Sequence, residues 1–555
     1  MSRNEPTVSL IPLGGVGEIG KNMMVVETDK DIMVIDAGVA FPGDDLPGID
    51  LVIPDISYLV ENREKIRAIV LTHGHEDHVG ALPYVLRQLP VPVYGTRLTL
   101  GLVKGKLAEH NLAYASEFIT IVPGRRFQVG GLEIEPIHVN HSIADVVALA
   151  VHTPVGVVVY ASDFKFDQTP VDGDVTDYHK LAELGDKGVT VLLSDSTNAE
   201  RPGYTLSERL VGKAFLDAFS RAPGRILVAT FASNVHRIQQ IMDASAATGR
   251  KVCVVGRSME NVVGVASELS YLKIPEGILI PIEALDRYSP ERLTVITTGS
   301  QGEPMSALSR VAAGEHKRME ILPGDTVIIS ASPIPGNERL IGRIIDQLFR
   351  QGATVIYEAF SGMHVSGHAS QEELKLMLNL CRPRFFIPVH GEYRMLVKHA
   401  ELAEQVGLSH EQILLAGIGD VVQVGQDRAT RPGKVPAGPV FVDGLGVGDV
   451  GNVVLRDRRQ LAQDGILVVV VTVGKLAGET VAGPEIVSRG FVYVKESESL
   501  LEEAKEEAGR IIAEGRARKS GDWNSVKAQL REGLARFLWA RTMRRPMILP
   551  VIVEV

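Results

Sequence analysis

Six consecutive residues, His73-Gly74-His75-Glu76-Asp77-His78, constrain this chain more than any other feature. They follow an apolar run, Ala68–Leu71, that reads as a buried strand. Three imidazoles and the Asp77 carboxylate at a strand end have one economical explanation. His73 and His75 aim at one cation, and Asp77 and His78 aim at a second just beyond it. Neutral imidazole and carboxylate are donors that suit Zn2+ or Mn2+. Each metal needs about four or more donors, so further ligands should cap other strands. The candidates are His141 in the polar loop His138-Val-Asn-His141, Asp163 after the strand Val155–Tyr160, and His390 after Phe385-Phe-Ile-Pro-Val. His138 reads as a supporting residue. His110, His152, His179, His316, His399 and His410 sit in helical or surface contexts and read as ordinary.

The surrounding pattern is α/β. Short strands fill the first 60 residues, and strands with helix-like stretches alternate up to Val155–Tyr160 in the manner of a sandwich. From about Ser207 the alternation becomes strictly βα. Strands at Arg225–Phe231, Lys251–Gly256, Leu293–Gly299 and Asp325–Ser330 are separated by helical patterns, as in a doubly wound parallel unit. Strand–helix chemistry resumes after Ala353, and the Pro/Gly-rich stretch from Arg431 reads as a linker. Strands at Gly465–Val473 and Phe491–Val494 and amphipathic helices at Leu500–Ala513 and Asn524–Trp539 form a small closing α+β module. The expected division is 1–206, an insertion at 207–352, a return to the first domain at 353–428, a linker at 429–452 and a C-terminal domain at 453–555.

Gly15-Val-Gly17-Glu-Ile-Gly20, with Asp36 beyond it, matches a dinucleotide-binding glycine pattern. That chemistry needs a helix opening within the glycine loop, and here a short strand follows instead. The pattern therefore reads as a turn that leaves room beside a neighbouring site.

Composition bounds the rest. At 555 residues the chain suits about three to five domains. A net charge of −10 argues against a generally cationic nucleic-acid coat, though not against a local basic channel. Two cysteines, Cys253 and Cys381, build neither a disulfide scaffold nor a four-cysteine zinc site, as expected in a reducing cytoplasm. The start lacks a signal-peptide core, and the most apolar run, Ile466–Val473, falls far short of the ~18–20 residues that span a bilayer. A cytoplasmic protein without membrane insertion is expected.

The histidine signature with His141, Asp163 and His390 resembles the metallo-β-lactamase superfamily. Ser194-Asp195-Ser-Thr-Asn and His364-Val-Ser-Gly-His368-Ala-Ser, with His390 22 residues past His368, resemble its nucleic-acid-processing β-CASP branch. Ser162-Asp-Phe-Lys-Phe-Asp-Gln-Thr-Pro and Ala232-Ser-Asn-Val-His-Arg are similar to the bacterial ribonuclease J family. One departure is Ser162, where the family pattern has glycine; it removes no ligand.

The resemblance implies an αββα metallo-β-lactamase sandwich split by a doubly wound β-CASP domain, with a small α+β C-terminal domain. It implies two divalent cations per subunit, Zn2+ and/or Mn2+. His73, His75, His141 and Asp163 would hold the first, and Asp77, His78, Asp163 and His390 the second. The implied chemistry is two-metal hydrolysis of RNA, leaving a 5′-phosphate and a 3′-hydroxyl, with a shared water as nucleophile. His368 is the candidate general acid for the leaving 3′ oxygen, oriented by Asp195.

The loop His364, Val365, Ser366, Gly367, His368 precedes a helix start, and Ser233, Asn234, His236 and Arg237 open another. Both suit phosphate contact, the second that of a terminal 5′-monophosphate. The expected activity is 5′-to-3′ exonuclease with internal cutting as well, in rRNA processing and mRNA decay. Relatives also suggest a structural calcium at Gly48, Asp50 and Asp443, in the acidic turn that includes Asp44; a plain acidic turn is the alternative. The C-terminal arginines Arg510, Arg516, Arg518, Lys519, Arg536, Arg541, Arg544 and Arg545 lie among glutamates and read as a solvated or oligomer-forming face. A homodimer or tetramer, with other RNA-decay proteins as partners, is expected. Competing readings are a small-ester or thioester hydrolase, a DNA-directed β-CASP nuclease and a non-catalytic RNA-binding subunit.

Overall fold

The structure, a computed structural model, describes residues 6–43, 45–303, 305–333, 337–357, 362–474, 480–492, 497–517 and 523–555. The chain divides into two compact units, Met1–Phe41 with Val52–Val440, and Pro42–Leu51 with Phe441–Val555.

In the first unit two sheets stack face to face. The first runs through Ala429–Lys434, Asp420–Val424, Val8–Gly14, Met23–Glu27, Ile32–Ile35, Ile66–Val70, Val93–Gly95 and Phe118–Thr120. The second runs through Phe385–Val389, Val189–Asp195, Gly156–Tyr160, Val147–Thr153, Leu132–His138 and Phe127–Val129. Leu10, Val26, Ile35 and Val70 from one sheet meet Ile134, Leu149, Val158 and Leu193 from the other in a shared core. Neighbours in the same strands turn the opposite way, as the two-residue period requires. Ala148, Ala150, Val159 and Leu192 pack with Leu181 and Leu184 of the helix Tyr178–Lys187 and with Leu374 and Met377 of Gln371–Cys381. Burial on both faces explains why these strands read as near-continuous apolar runs.

Between the two passes through this sandwich lies a five-stranded, wholly parallel sheet. Its order is Lys251–Val255, Leu293–Thr297, Ile226–Ala229, Thr326–Ile329, Thr354–Ile356. Ile226 and Val228 pack on one side with Ile238 and Ile241, and Leu227 and Ala229 on the other with Ile341 and Ile344. Helices on both faces make it doubly wound.

Two expected boundaries shift. The strand Thr354–Ile356 pairs with Thr326–Ile329, so the inserted sheet continues past 352: the helix Glu338–Arg350 is a crossover that must deliver another parallel strand. The expected linker also begins inside structure. Ala429–Lys434 is antiparallel to Asp420–Val424 at the edge of the first sheet, and both the edge position and the register shift beside it tolerate a residue such as Pro432.

In the second unit, Ile466–Val473 lies between Thr480–Arg489 and Met547–Glu554. Its alternate residues Leu467, Val469 and Val471 pack with Ala504, Ala508, Leu530 and Leu534 of the helices Glu498–Ala517 and Trp523–Thr542. The expected strand at Phe491 is instead a bend with Phe491 buried in this core, and Tyr493 and Val494 lie outside the described residues. Arg510 pairs with Glu507 and Glu514, and Arg541 with Glu503, as on a solvated helix face. Arg518, Lys519 and the Arg516 side chain lie outside what is described.

Candidate active site

The strands of the sandwich end at one place. Gly156–Tyr160, Val189–Asp195 and Phe385–Val389 are parallel neighbours, so Asp163, Asp195 and His390 emerge at the same carboxyl edge, where open α/β sheets gather ligands. From the facing sheet, Ile32–Ile35 delivers Asp36 and Ile66–Val70 delivers the His73–His78 run. Three residues here sit in the left-handed region that favours glycine: Asp36 at φ 63°, Ser162 at 59° and His390 at 53°.

Asp163 is the centre of the cluster. Its Oδ2 lies 3.8 Å from His73 Nε2, 3.7 Å from His141 Nε2, 3.3 Å from His78 Nε2 and 3.4 Å from His390 Nε2. His75 Nδ1 lies 3.1 Å from His73 Nε2 and 3.2 Å from His141 Nε2. On the other side Asp77 Oδ2 is 3.2 Å from His390 Nε2 and 3.6 Å from His78 Nε2. The structure thus brings together two four-residue sets, His73–His75–His141–Asp163 and Asp77–His78–Asp163–His390, with ligand atoms within 4.8 Å of one another in each.

This donor set fits a pair of divalent cations. His75 Nδ1 faces two further imidazole nitrogens at once, those of His73 and His141, and among the described residues the buried Asp163 Oδ1 has no hydrogen-bond partner. The outward ring nitrogens are held: His78 Nδ1 by Asp36 (2.8 Å), His141 Nδ1 by the Gly367 carbonyl (2.7 Å), His390 Nδ1 by Thr197 Oγ1 (2.7 Å) and His73 Nδ1 by Thr72 Oγ1 (3.0 Å). Such backing fixes ring orientation and leaves the inner nitrogens as donors. Gly367 is required here, since a Cβ would stand 2.7 Å from the His141 ring.

Charge follows position. Burial holds His73 and His141 neutral, and pushes His75 down to about 4. Burial also opposes charge on His78, but Asp163, Asp77 and Asp36 outweigh it and raise His78 to about 10. Burial would raise Asp77 and Asp163; the neighbouring imidazoles, chiefly His78 for the first and His390 for the second, hold both well below the carboxylate range.

Beside the cluster, His368 Nδ1 is 2.7 Å from Asp195 Oδ2 and 4.0 Å from Asp163 Oδ2. Burial opposes the charge on His368, but the Asp195 carboxylate outweighs it and raises its pKa. Asp195 itself is oriented by Thr197, whose N–H and hydroxyl donate to Oδ1 at 2.9 and 2.8 Å.

Several expectations require correction. Arg237 is not open to a phosphate: it is fully buried and paired with Glu208 at 2.7 Å. It also donates to His364 Nδ1 (2.8 Å), the Ser330 carbonyl (2.8 Å) and the Val365 carbonyl (3.4 Å). Asn234, buried, caps its own helix by accepting from Arg237 N–H (3.0 Å). His236 faces Asp172 at 3.5 Å, and Ser233 is half-buried. Nor is the helix start at Gln371 free for an anion. The N–H groups of Gln371 and Glu372 donate to the carbonyls of Arg201 and Gly203, each at 3.0 Å, and Ser370 and Glu373 form a capping box.

The structural calcium does not fit either. Within the second unit, Arg458 Nη1 donates to the Gly48 carbonyl (3.0 Å) and the Pro47 carbonyl (3.2 Å), while Nη2 pairs with Asp443 Oδ2. Asp50 Oδ2 accepts from Gly444 N–H at 2.7 Å. The guanidinium is the cation of this site; Asp44 lies outside the described residues.

Sequence reasoning missed Asp36, Asn22, Thr197, Glu208 and Glu373. Asn22 Nδ2 donates to the Asp77 carbonyl (3.0 Å) and lies 3.0 Å from His78 Nε2. The glycine turn before it does border the site: His390 N–H donates to the Gly15 carbonyl (2.7 Å), and the strand Met23–Glu27 follows where a nucleotide-binding loop needs a helix.

The stacked sheets, the inserted parallel domain and the shared aspartate define a protein of the metallo-β-lactamase superfamily with a β-CASP insertion. Four family descriptions match the chain. They are "Metallo-beta-lactamase superfamily" at 16–185, "Ribonuclease J, beta-CASP domain" at 223–348, "Zn-dependent metallo-hydrolase RNA specificity domain" at 353–413 and "Ribonuclease J C-terminal domain" at 453–555. Ribonuclease J2 of Bacillus subtilis is 45% identical over 553 residues, and a Ribonuclease J 2 of Staphylococcus aureus is 42% identical over 555; each match covers 100% of both chains. A crystal structure of a protein of unknown function from Enterococcus faecalis shares the fold at a TM-score of 0.54 and 16% identity, covering 76% of this chain and 100% of its own. The chain belongs to the ribonuclease J family.

Proposed function

We propose that this chain is a metal-dependent ribonuclease that hydrolyses RNA from a 5′-monophosphate end and also cuts internally. The observation that carries the reading is one carboxylate, Asp163, facing both ligand sets, with the His368–Asp195 pair alongside. His73, His75, His141 and Asp163 would hold one cation, and Asp77, His78, Asp163 and His390 the other. When bound, such a pair supplies an activated water and neutralises phosphoryl oxygens.

The remaining work falls to the chain. His368, kept protonated by Asp195, donates its Nε2 proton to the leaving 3′ oxygen, so the products carry a 3′-hydroxyl and a 5′-phosphate. Asp195 keeps the imidazole in position while Thr197 fixes the carboxylate. Ser366 and the Gly367 N–H approach the reacting phosphate, and of the second helix start Ser233 is left to approach the terminal one. Arg237 braces the loop before His368 by donating to His364 Nδ1 and to the Val365 carbonyl.

The test uses RNA with a radiolabelled 5′-monophosphate, incubated with the protein and Mn2+ beside 5′-triphosphate and DNA copies. Early release of labelled mononucleotide from the monophosphate RNA alone is expected. Labelled internal fragments from the first time points would overturn the terminal-phosphate reading, and degradation of DNA alone would overturn the assignment to RNA.

A further inference from the structure

The segment from Asn198 to Leu206 is fastened to the His368 loop along its length. Asn198 Nδ2 donates to Ser366 Oγ (2.8 Å) and to the His368 carbonyl (2.9 Å). Gln371 N–H and Glu372 N–H hold the carbonyls of Arg201 and Gly203. Thr205 Oγ1 donates to the same His368 carbonyl (2.7 Å), and Thr205 N–H donates to Glu373 Oε2 (2.6 Å).

Two side chains in this run have no part in holding it. Arg201 is exposed, and its guanidinium makes no ion pair or hydrogen bond among the described residues. Tyr204 is 68% exposed, although its neighbours on both sides are bonded to the 368–373 loop and helix start. An exposed ring on rigid backbone adds nothing to a core but makes a preorganised platform, and bases of single-stranded nucleic acid stack on such rings whatever their sequence. The position of Arg201 near the loop is also felt electrostatically: burial first, then Arg237 and Arg201, push His364 down to about 2.

We propose that residues 198–206 form an RNA-contacting lip at the site, with the Tyr204 ring stacking on a base and the Arg201 guanidinium holding an adjacent phosphate. The inference rests on the ribonuclease reading. It adds a contact that follows the strand beyond the reacting phosphate, where stacking secures position without reading sequence.

The test is fluorescence anisotropy of a labelled single-stranded RNA, 5′-monophosphorylated, with the full-length protein in chelator so that cleavage is blocked. Tyr204→Ala should weaken binding about five- to hundredfold, while Tyr204→Phe, which keeps the ring, should bind as wild type does. Arg201→Ala should reduce the slope of log affinity against log salt by about 0.7, the loss of one phosphate contact on a single strand. Equal binding by Tyr204→Ala and wild type, equal weakening by Ala and Phe, or an unchanged salt slope would overturn the lip. The wild-type protein is assayed for cleavage of the same RNA in Mn2+. If it neither binds nor cleaves, the ribonuclease reading falls and the lip with it; if it does both and the variants match it, the lip alone falls.

Discussion

His78 Nδ1 lies 2.8 Å from Asp36 Oδ2, with both side chains fully buried. Asp36 also accepts from Thr72 N–H (2.8 Å) and hydroxyl (2.9 Å), so one carboxylate fixes both the His78 ring and the start of the ligand run. A carboxylate behind a ligating imidazole sets its tautomer and strengthens it as a donor. Asp36→Ala should weaken the cation at His78 about 10- to 100-fold, read by metal titration, while the His73–His75–His141 set, touched only through Thr72, weakens less. Equal loss at both positions would mean that Asp36 supports the fold rather than His78.

The His368–Asp195 pair should act at the leaving group. His368→Ala is expected to lower kcat on RNA by about 10²- to 10⁴-fold, and Asp195→Asn to lower it less, since the imidazole stays in place. A nitrophenyl phosphodiester, whose leaving group needs no proton, should be cleaved by His368→Ala with a much smaller loss. An equal loss on both substrates would contradict the acid role.

The contiguous ligands His73–His78 were legible because their chemistry is local, and His141, Asp163 and His390 because each follows an apolar strand. Asp36 follows a strand too, but it lies 42 residues from His78, and only the three-dimensional pairing distinguishes it from other acids. Arg237 was misread for a related reason. A basic residue at a helix start looks like an anion site until its burial against Glu208 is known, and the partner lies 29 residues upstream. The strand at Ala429–Lys434 was hidden by Pro432 and Gly433 within it, which an edge position permits. The layered α/β architecture was visible because burial on both faces writes long apolar runs into the strands.

His399 gives the stability a pH dependence. It is fully buried, with Nδ1 3.0 Å from Ser196 Oγ and Nε2 without a partner among the described residues, and burial pushes it down to about 3. Above its ordinary value of 6.5 both folded and unfolded chains hold it neutral. Below that the unfolded chain takes up a proton that the folded chain refuses, so stability falls as the pH falls. The contribution lost by about pH 5 is roughly 2 kcal/mol. His399→Gln should flatten the profile of urea midpoints between about pH 7 and pH 5 by that amount; an unchanged profile would contradict a neutral buried His399.

Arg458 gives the second unit a cation of its own. Arg458→Ala should destabilise the chain by about 1 kcal/mol, since it strands two backbone carbonyls and Asp443 at a partly exposed site. Wild-type protein should gain no melting temperature from added calcium. A calcium ion per chain that vanishes in Asp443→Asn would show that an ion, and not the guanidinium, fills the site.

The most direct measurement of the central claim compares wild type with the double variant Asp77→Ala, His78→Ala on one labelled RNA in Mn2+, following cleavage on gels and retention on filters. Loss of cleavage with RNA retention largely intact is the expected result. Unchanged cleavage by the double variant would contradict the account, because the chemistry would then not depend on the cluster gathered around Asp163.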